Sequence, residues 1–267
     1  VNALIKFWLQ RFPEAEIGVI AVDPTSPFSG GALLGDRVRM RDIVRNERVF
    51  VRSMATRGAL GGLSLAVPAV IQIMDAARFD PIIVETVGAG QTEVEIASLA
   101  HTTIVVEAPG LGDDVQALKA GILEIADILV VNKADLSGAD LVVKSLQAML
   151  ELGYPPPVNQ LQANRFNGWV PPVLSTVATG EMGIKELLVQ VQKHKEIILE
   201  NGQWQKKDRQ RLESWLKSLY AEKIGSQWKQ VIASKTYAEL LALLLSRQLS
   251  PYQVLNQLLK LKPPETN

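Results

Sequence analysis

The sequence has no cysteine and only two histidines, His101 and His194, in 267 residues. The first absence removes disulfides and thiolate metal sites, and the second removes a histidine-rich metal centre. Neither sign of charge is in excess: Lys plus Arg and Asp plus Glu each number 28. No long-range field therefore draws in nucleic acid or an anionic membrane surface. Long apolar runs are missing too, since stretches such as Ile128 to Val131 and Leu240 to Leu245 fall far short of the roughly 20 residues a membrane-spanning helix needs. With no signal-peptide pattern, these absences point to a cytoplasmic protein that binds neither nucleic acid nor membrane.

One further absence shapes the rest. No G-x-x-x-x-G-K-[ST] phosphate-binding loop occurs. The opening run Val1 to Leu9 is helical in pattern with no capping residue before it. It suits the body of the helix that follows such a loop, so the expectation is that the loop and its strand lie upstream of Val1.

What is present begins with a hydrophobic content of 47%, enough for one sizeable core plus an appendage. Short β-branched runs recur at Ile17 to Val22, Val49 to Arg52, Pro81 to Glu85, Thr103 to Glu107, Ile128 to Asn132 and Val170 to Leu174. Between them, Gly62 to Arg78, Thr92 to Ala100, Asp113 to Ala126 and Ala139 to Leu152 have helical spacing. That alternation predicts an α/β fold with a mostly parallel, doubly wound sheet covered on both faces. After about Gly183 only amphipathic helical segments remain, at 185–200, 204–223, 237–247 and 251–260. The expected organisation is a nucleotide-binding domain over 1–200 and a helical extension over 201–267. On segment 204–223, Leu212, Trp215, Leu216, Leu219 and Tyr220 form an apolar stripe flanked by Lys206, Lys207, Arg209 and Arg211. This is the pattern of a helix packed on its own domain or on a partner chain.

The sharpest motif is Asn132-Lys133-Ala134-Asp135, at the end of the apolar strand Ile128 to Val131. In open α/β sheets ligands bind beyond the carboxyl ends of the strands, so a polar tetrad there can face one. Guanine presents N1–H and its 2-amino group side by side, and a carboxylate such as Asp135 accepts both. Adenine has no such pair and would leave the carboxylate desolvated and unmatched. Asn132 would hold the neighbouring loop and the base edge, and the Lys133 stem would cover the ring. Ser175-Thr176-Val177, after the apolar pair Val173-Leu174, offers backbone N–H groups to the base oxygen.

Three acids also follow or end strand-like runs: Asp23, Asp36 in Gly35-Asp36-Arg37, and Glu85 in Glu85-Thr86-Val87-Gly88. They suit Mg²⁺, which takes oxygen ligands, keeps several waters and shares nucleotide phosphates. Gly88 would let a backbone N–H approach a terminal phosphate. The segments 24–31, 57–62 and 110–114, rich in glycine or proline, read as switch loops. Gln91, Glu93 and Lys119 are candidates, by location, for positioning the attacking water.

The run Val22-Asp23-Pro24-Thr25-Ser26-Pro27-Phe28-Ser29-Gly30-Gly31-Ala32-Leu33-Leu34-Gly35-Asp36-Arg37-Val38-Arg39-Met40 resembles the MeaB/ArgK family of P-loop GTPases. The likeness continues through Arg57 to Gly62, Glu85 to Gln91 and Asn132 to Asp135, and covers about residues 1–200. It implies a homodimeric, GTP- and Mg²⁺-dependent chaperone of adenosylcobalamin-dependent acyl-CoA mutases, in which GTP hydrolysis gates cofactor loading and protects the mutase. It implies that Asp23, Asp36 and Glu85 are the magnesium and switch acids, and that Asn132, Lys133 and Asp135 read the base. Gly112 to Gly121, with Gln116 and Lys119, resembles the family's further switch segment, and the C-terminal helices would form the dimer. Older family descriptions as a transport-system ATPase or kinase compete with this reading, as do a metal-delivery GTPase and a nucleotide-sensing scaffold. Without the phosphate-binding lysine and its Ser or Thr, this chain by itself is expected to bind GTP weakly or not at all.

Overall fold

The computed structural model describes residues 1–23, 40–55, 66–86, 98–110, 125–153, 168–232 and 235–258. Six strands are present among them: β1 (Ile17–Asp23), β2 (Val49–Ala55), β3 (Ile82–Thr86), β4 (Ile104–Glu107), β5 (Ile128–Asn132) and β6 (Val173–Thr176). The helices are α1 (Asn2–Arg11), α2 (Arg41–Val44), α3 (Ala66–Ala76), α4 (Ala139–Gly153), α5 (Ile184–Glu200), α6 (Gln203–Ile232), α7 (Lys235–Leu245) and α8 (Pro251–Leu258). The strands form two three-stranded sheets, in the orders β2-β1-β3 and β4-β5-β6. Every pairing is parallel.

The α/β expectation therefore holds, and the strand sequences explain why. In β1, Ile17 and Val19 face a cluster with Ile5, Trp8 and Leu9 of α1 and Leu188 of α5. The alternate residues Ile20 and Val22 pack against Val67, Ile71 and Met74 of α3. In β5, Leu129 and Val131 meet Ala139, Leu146 and Leu150 of α4, while Ile128 and Val130 meet Leu187 of α5. The central strand of each sheet is thus apolar on both faces because helices cover both faces. The α1 residues Ile5, Trp8 and Leu9 recur at the spacing of one helical face. Pro13, just past the C-cap Phe12, cannot continue the helix.

The start of the last strand differs from expectation. The last strand begins at Val173 instead of Val170, because Pro171 and Pro172 have no N–H to give to a ladder. Pro172 contributes only its carbonyl, which accepts the Leu129 N–H at 2.9 Å. The predicted helices at 92–100 and 113–126 fall almost wholly outside the described residues.

The chain divides into two compact units, Val1–Arg211 and Leu212–Asn267. The second has its own small core, in which Leu240 of α7 packs with Val254 and Leu258 of α8. Among the described residues, no helix is long and apolar enough to cross a membrane.

Candidate nucleotide site

Strands β5 and β6 deliver the two sequence motifs side by side. Their register pairs Val131 with Ser175 and Asn132 with Thr176, so both polar loops leave the same edge of one sheet. The Asn132 carboxamide oxygen accepts two hydrogen bonds, from Thr176 Oγ1 at 3.2 Å and from the Ala178 N–H at 3.1 Å. The Ala134 N–H donates to the Thr176 carbonyl at 3.0 Å and adds a third tie. Thr176 is 2% exposed, so its hydroxyl depends on that amide for a partner.

Lys133 lies in the left-handed region, with φ +58. Leu136 donates its N–H to the Lys133 carbonyl at 3.0 Å, closing the turn that carries Asp135. Lys133 and Asp135 are both exposed. Exposure leaves the Asp135 carboxylate available to a donor edge, and the Lys133 stem available to a ring face.

After β6 the chain makes a closed loop. Val177 and Met182 exchange backbone bonds at 3.0 and 3.2 Å, and the Gly180 N–H reaches the Val177 carbonyl at 3.0 Å. Lys6 of α1 pairs with Glu181 from outside. The loop ends at Gly183, the N-cap of α5, at φ +77. The Val177 N–H, one of the donors expected for a base, is engaged within this loop.

In the other sheet, β1 and β3 place Glu85 opposite Ala21, two residues before Asp23 ends its strand. Both acids thus sit at carboxyl ends of neighbouring strands. Glu85 lines a cavity of about 310 Å³ together with Val1, Asn2, Ala3, Met40, Ala178 and Thr179. Ala178 is the residue whose N–H Asn132 holds, so the cavity joins the acid of β3 to the loop that the amide of β5 positions. Asp135 is not part of that lining. Asp36, Gly88, Gln91, Glu93 and Lys119, with the proposed switch loops except Gly110, lie outside the described residues. Among the described residues, no three His, Asp or Glu side chains gather as a metal site.

Sequence reasoning missed a polar cluster at the opposite edge of the β4-β5-β6 sheet. Asp127, just before β5, accepts the Thr103 N–H at 2.8 Å and the Lys207 ammonium at 3.2 Å. His194 Nε2 is 3.3 Å from its other oxygen. That contact leaves His194 Nδ1 to meet the Thr102 hydroxyl at 2.9 Å. Burial pushes the Asp127 carboxyl up, but the His194 bond, the Lys207 charge and the Thr103 N–H together hold it below the usual value. His101 stacks on Trp204, with centroids 3.6 Å apart, and its Nε2 is 3.0 Å from Asp208. Burial is the largest influence on its ring and lowers its affinity for a proton. Both histidines are therefore structural and lie away from the strand tips that carry Asn132 and Glu85. Lys207 and Arg211, which flank the apolar stripe in sequence, hold Asp127 and Asp208.

A parallel α/β sheet whose carboxyl ends carry an N-K-x-D turn bonded to a second, Ser-Thr loop defines a guanine-nucleotide-binding domain. Known proteins narrow the class. The family described as methylmalonyl Co-A mutase-associated GTPase MeaB matches residues 1–233, and the chain belongs to that family. A Pyrococcus horikoshii protein named as a GTPase is 46% identical over 245 residues, which are 91% of this chain and 74% of that protein. The GTPase ArgK of Escherichia coli is 33% identical over 244 residues, 91% of this chain and 72% of ArgK. The solved structure of a LAO/AO transport system kinase shares the fold with a TM-score of 0.64 at 26% identity, across 97% of this chain and 75% of that one. Enzymatically, the family's activity is that of a GTP hydrolase.

Proposed function

We propose that this protein is a GTP-dependent switch that serves an adenosylcobalamin-dependent acyl-CoA mutase of the methylmalonyl-CoA type, gating cofactor loading and protecting the loaded enzyme. The observation that carries the reading is the match of residues 1–233 to a family described by its association with that mutase. The site chemistry supports the nucleotide half. Asp135 accepts the N1–H and 2-amino group of guanine, and Lys133 covers the ring. Asn132, with its oxygen committed to Thr176 and Ala178, offers its NH₂ to the base edge. The base oxygen would take a backbone N–H from Ser175-Thr176-Val177, where the Val177 N–H is given to Met182.

The acids at the ends of β1 and β3 have the all-oxygen donor chemistry that Mg²⁺ takes. Asp23 and Glu85 would hold it, with Asp36 as a third acid. When bound, the ion offsets charge on the nucleotide phosphates. Gly88 would give its N–H to the terminal phosphate, and Gln91 and Lys119 would position the attacking water. The protein acts as a homodimer through its C-terminal helices. In support, α6 leaves Leu216 and Tyr220 67% and 68% exposed, with Leu212, Leu219 and Ile224 on the same stripe. Metal delivery is disfavoured, since there is no cysteine and both histidines are packed at the far edge of the sheet.

The test is a pull-down of an adenosylcobalamin-dependent acyl-CoA mutase by this chain, run with millimolar GTP and with millimolar GDP. Capture that differs between the two nucleotides is expected. Absence of capture in both states would turn the reading towards transport or scaffold roles.

A further inference from the structure

The chain passes from α5 to α6 through Asn201 and Gly202. Gly202 has φ +72, and a Cβ built there would meet nothing within 4 Å. Glycine in open space can change its backbone angles without a steric penalty, which suits a hinge. Just beyond it, Trp204, Lys207, Asp208 and Arg211 recur at the spacing of one helical face.

All four converge on His101, in the segment before β4. The ring lies on Trp204 with an interplanar angle of 7°. Its Nε2 is 3.0 Å from Asp208 Oδ1, which also accepts Arg211 Nη2 at 2.7 Å. The His101 carbonyl accepts the Lys207 ammonium at 2.7 Å. The acids that face this group from other elements are already paired. Asp127, ahead of β5, is shared by Lys207 and His194. Asp80 meets Lys195 of α5 at 3.2 Å, and that ammonium lies 5.7 Å from the Trp204 ring centroid. With the Nε2 hydrogen directed at Asp208, a second proton would go to Nδ1 and turn the ring into a cation. That cation would be partly buried among Lys207, Arg211 and Lys195, with Asp208 already shared.

We propose that His101 is a proton-operated latch whose protonation releases the first turns of α6 from the amino edge of the β4-β5-β6 sheet, with Gly202 as the hinge. Burial, the largest influence on the closed ring, lowers its proton affinity below the ordinary histidine value of 6.5. The open arrangement, where solvent reaches the ring, binds the proton more tightly. Opening therefore grows as pH falls below 6.5 and stops growing once the closed ring is protonated as well.

The test follows hydrogen exchange of the full chain by mass spectrometry from about pH 7.5 to about pH 5, each rate corrected for intrinsic exchange at that pH. Amides 207–211 should open more readily than those of β5 throughout, and their opening should rise by up to about tenfold per pH unit below 6.5. His101→Phe keeps a ring against Trp204 and takes no proton, so its opening should stay level. Equal opening of 207–211 and β5 would mean unfolding of the whole unit and overturns the proposal. Opening of the parent that ignores pH overturns it too, as does a rise that survives in His101→Phe. Should that variant not fold, proton NMR of the parent decides. The His101 Cε1–H, identified by its NOE to Trp204, should titrate below pH 6.5; titration at or above that value refutes the latch, since protonation would then tighten the closed form.

Discussion

Replacing Asp127 by alanine isolates the cluster that closes the amino edge of the β4-β5-β6 sheet. Three donors converge on this carboxylate: the Thr103 N–H at 2.8 Å, Lys207 at 3.2 Å and His194 at 3.3 Å. The side chain is 20% exposed, the His194 side chain 3% and that of Lys207 30%, so the three bonds are not equally strong. A hydrogen bond to a charged group contributes about 1.5–3 kcal/mol when buried, and the partly exposed Lys207 pair less. The bonds share one acceptor and do not add, which puts the loss at about 3 kcal/mol. At about 2–4 °C per kcal/mol for a unit of this size, the melting midpoint should fall by roughly 6–12 °C. Calorimetry and urea unfolding at pH 7 measure this, with an unchanged m-value expected. The comparison variant is Lys6→Ala, whose ion pair with Glu181 is exposed on both sides and should matter by about 0.5 kcal/mol or less. A midpoint for Asp127→Ala within 2 °C of the parent, or no lower than that of Lys6→Ala, would refute the claim that this cluster anchors α5 and α6 to the sheet.

The same groups set the pH response. Asp127 has a lowered folded pKa, so its contribution is present above the ordinary carboxyl value of 3.8 and disappears as pH falls through the folded value; the deficit of Asp127→Ala should shrink accordingly in acid unfolding curves. The buried His101 ring resists protonation, so stability should decline as pH drops below 6.5, and His101→Phe, which keeps a ring against Trp204, should remove that step. Asn132→Ala breaks both bonds to its oxygen and strands the buried Thr176 hydroxyl, costing about 2 kcal/mol of stability, and loss of its NH₂ from the base edge should weaken GDP about tenfold by NMR titration; unchanged affinity would separate the loop from the base. Light scattering should show the proposed dimer for the parent and a monomer for Leu216→Glu with Tyr220→Glu; a monomeric parent, or a dimer that persists in the variant, would refute the interface on α6. Calorimetric titration with GTP and Mg²⁺ should show binding weaker than micromolar for a sequence without G-x-x-x-x-G-K-[ST], and micromolar binding would contradict the part assigned to that motif.

Much of the fold was legible because buried parallel strands are apolar on both faces. Ile128 to Asn132 reads as a strand residue for residue, and its polar end fixes where the N-K-A-D turn must emerge. The β6 boundary was blurred by Val170, which has strand character but precedes two prolines. The site was legible as far as its motifs were contiguous. Asn132 was expected to hold the neighbouring loop, and its oxygen binds Thr176 and Ala178. Ala178 was invisible, since it contributes only a backbone N–H. Asp127, His194 and Lys207 are scattered over three elements, and no spacing rule links residues that only the folded chain brings together.

The outer edges of β3 and β4 remain. Each closes a three-stranded sheet, and among the described residues neither is paired on its far side. The runs Ile82-Ile83-Val84 and Ile104-Val105-Val106 offer open peptide groups framed by oily side chains, with acid only at Glu85 and Glu107. Natural edges blunt that hazard with lysine, proline or a bulge, and these two have none. Their backbone has the chemistry to template one further strand.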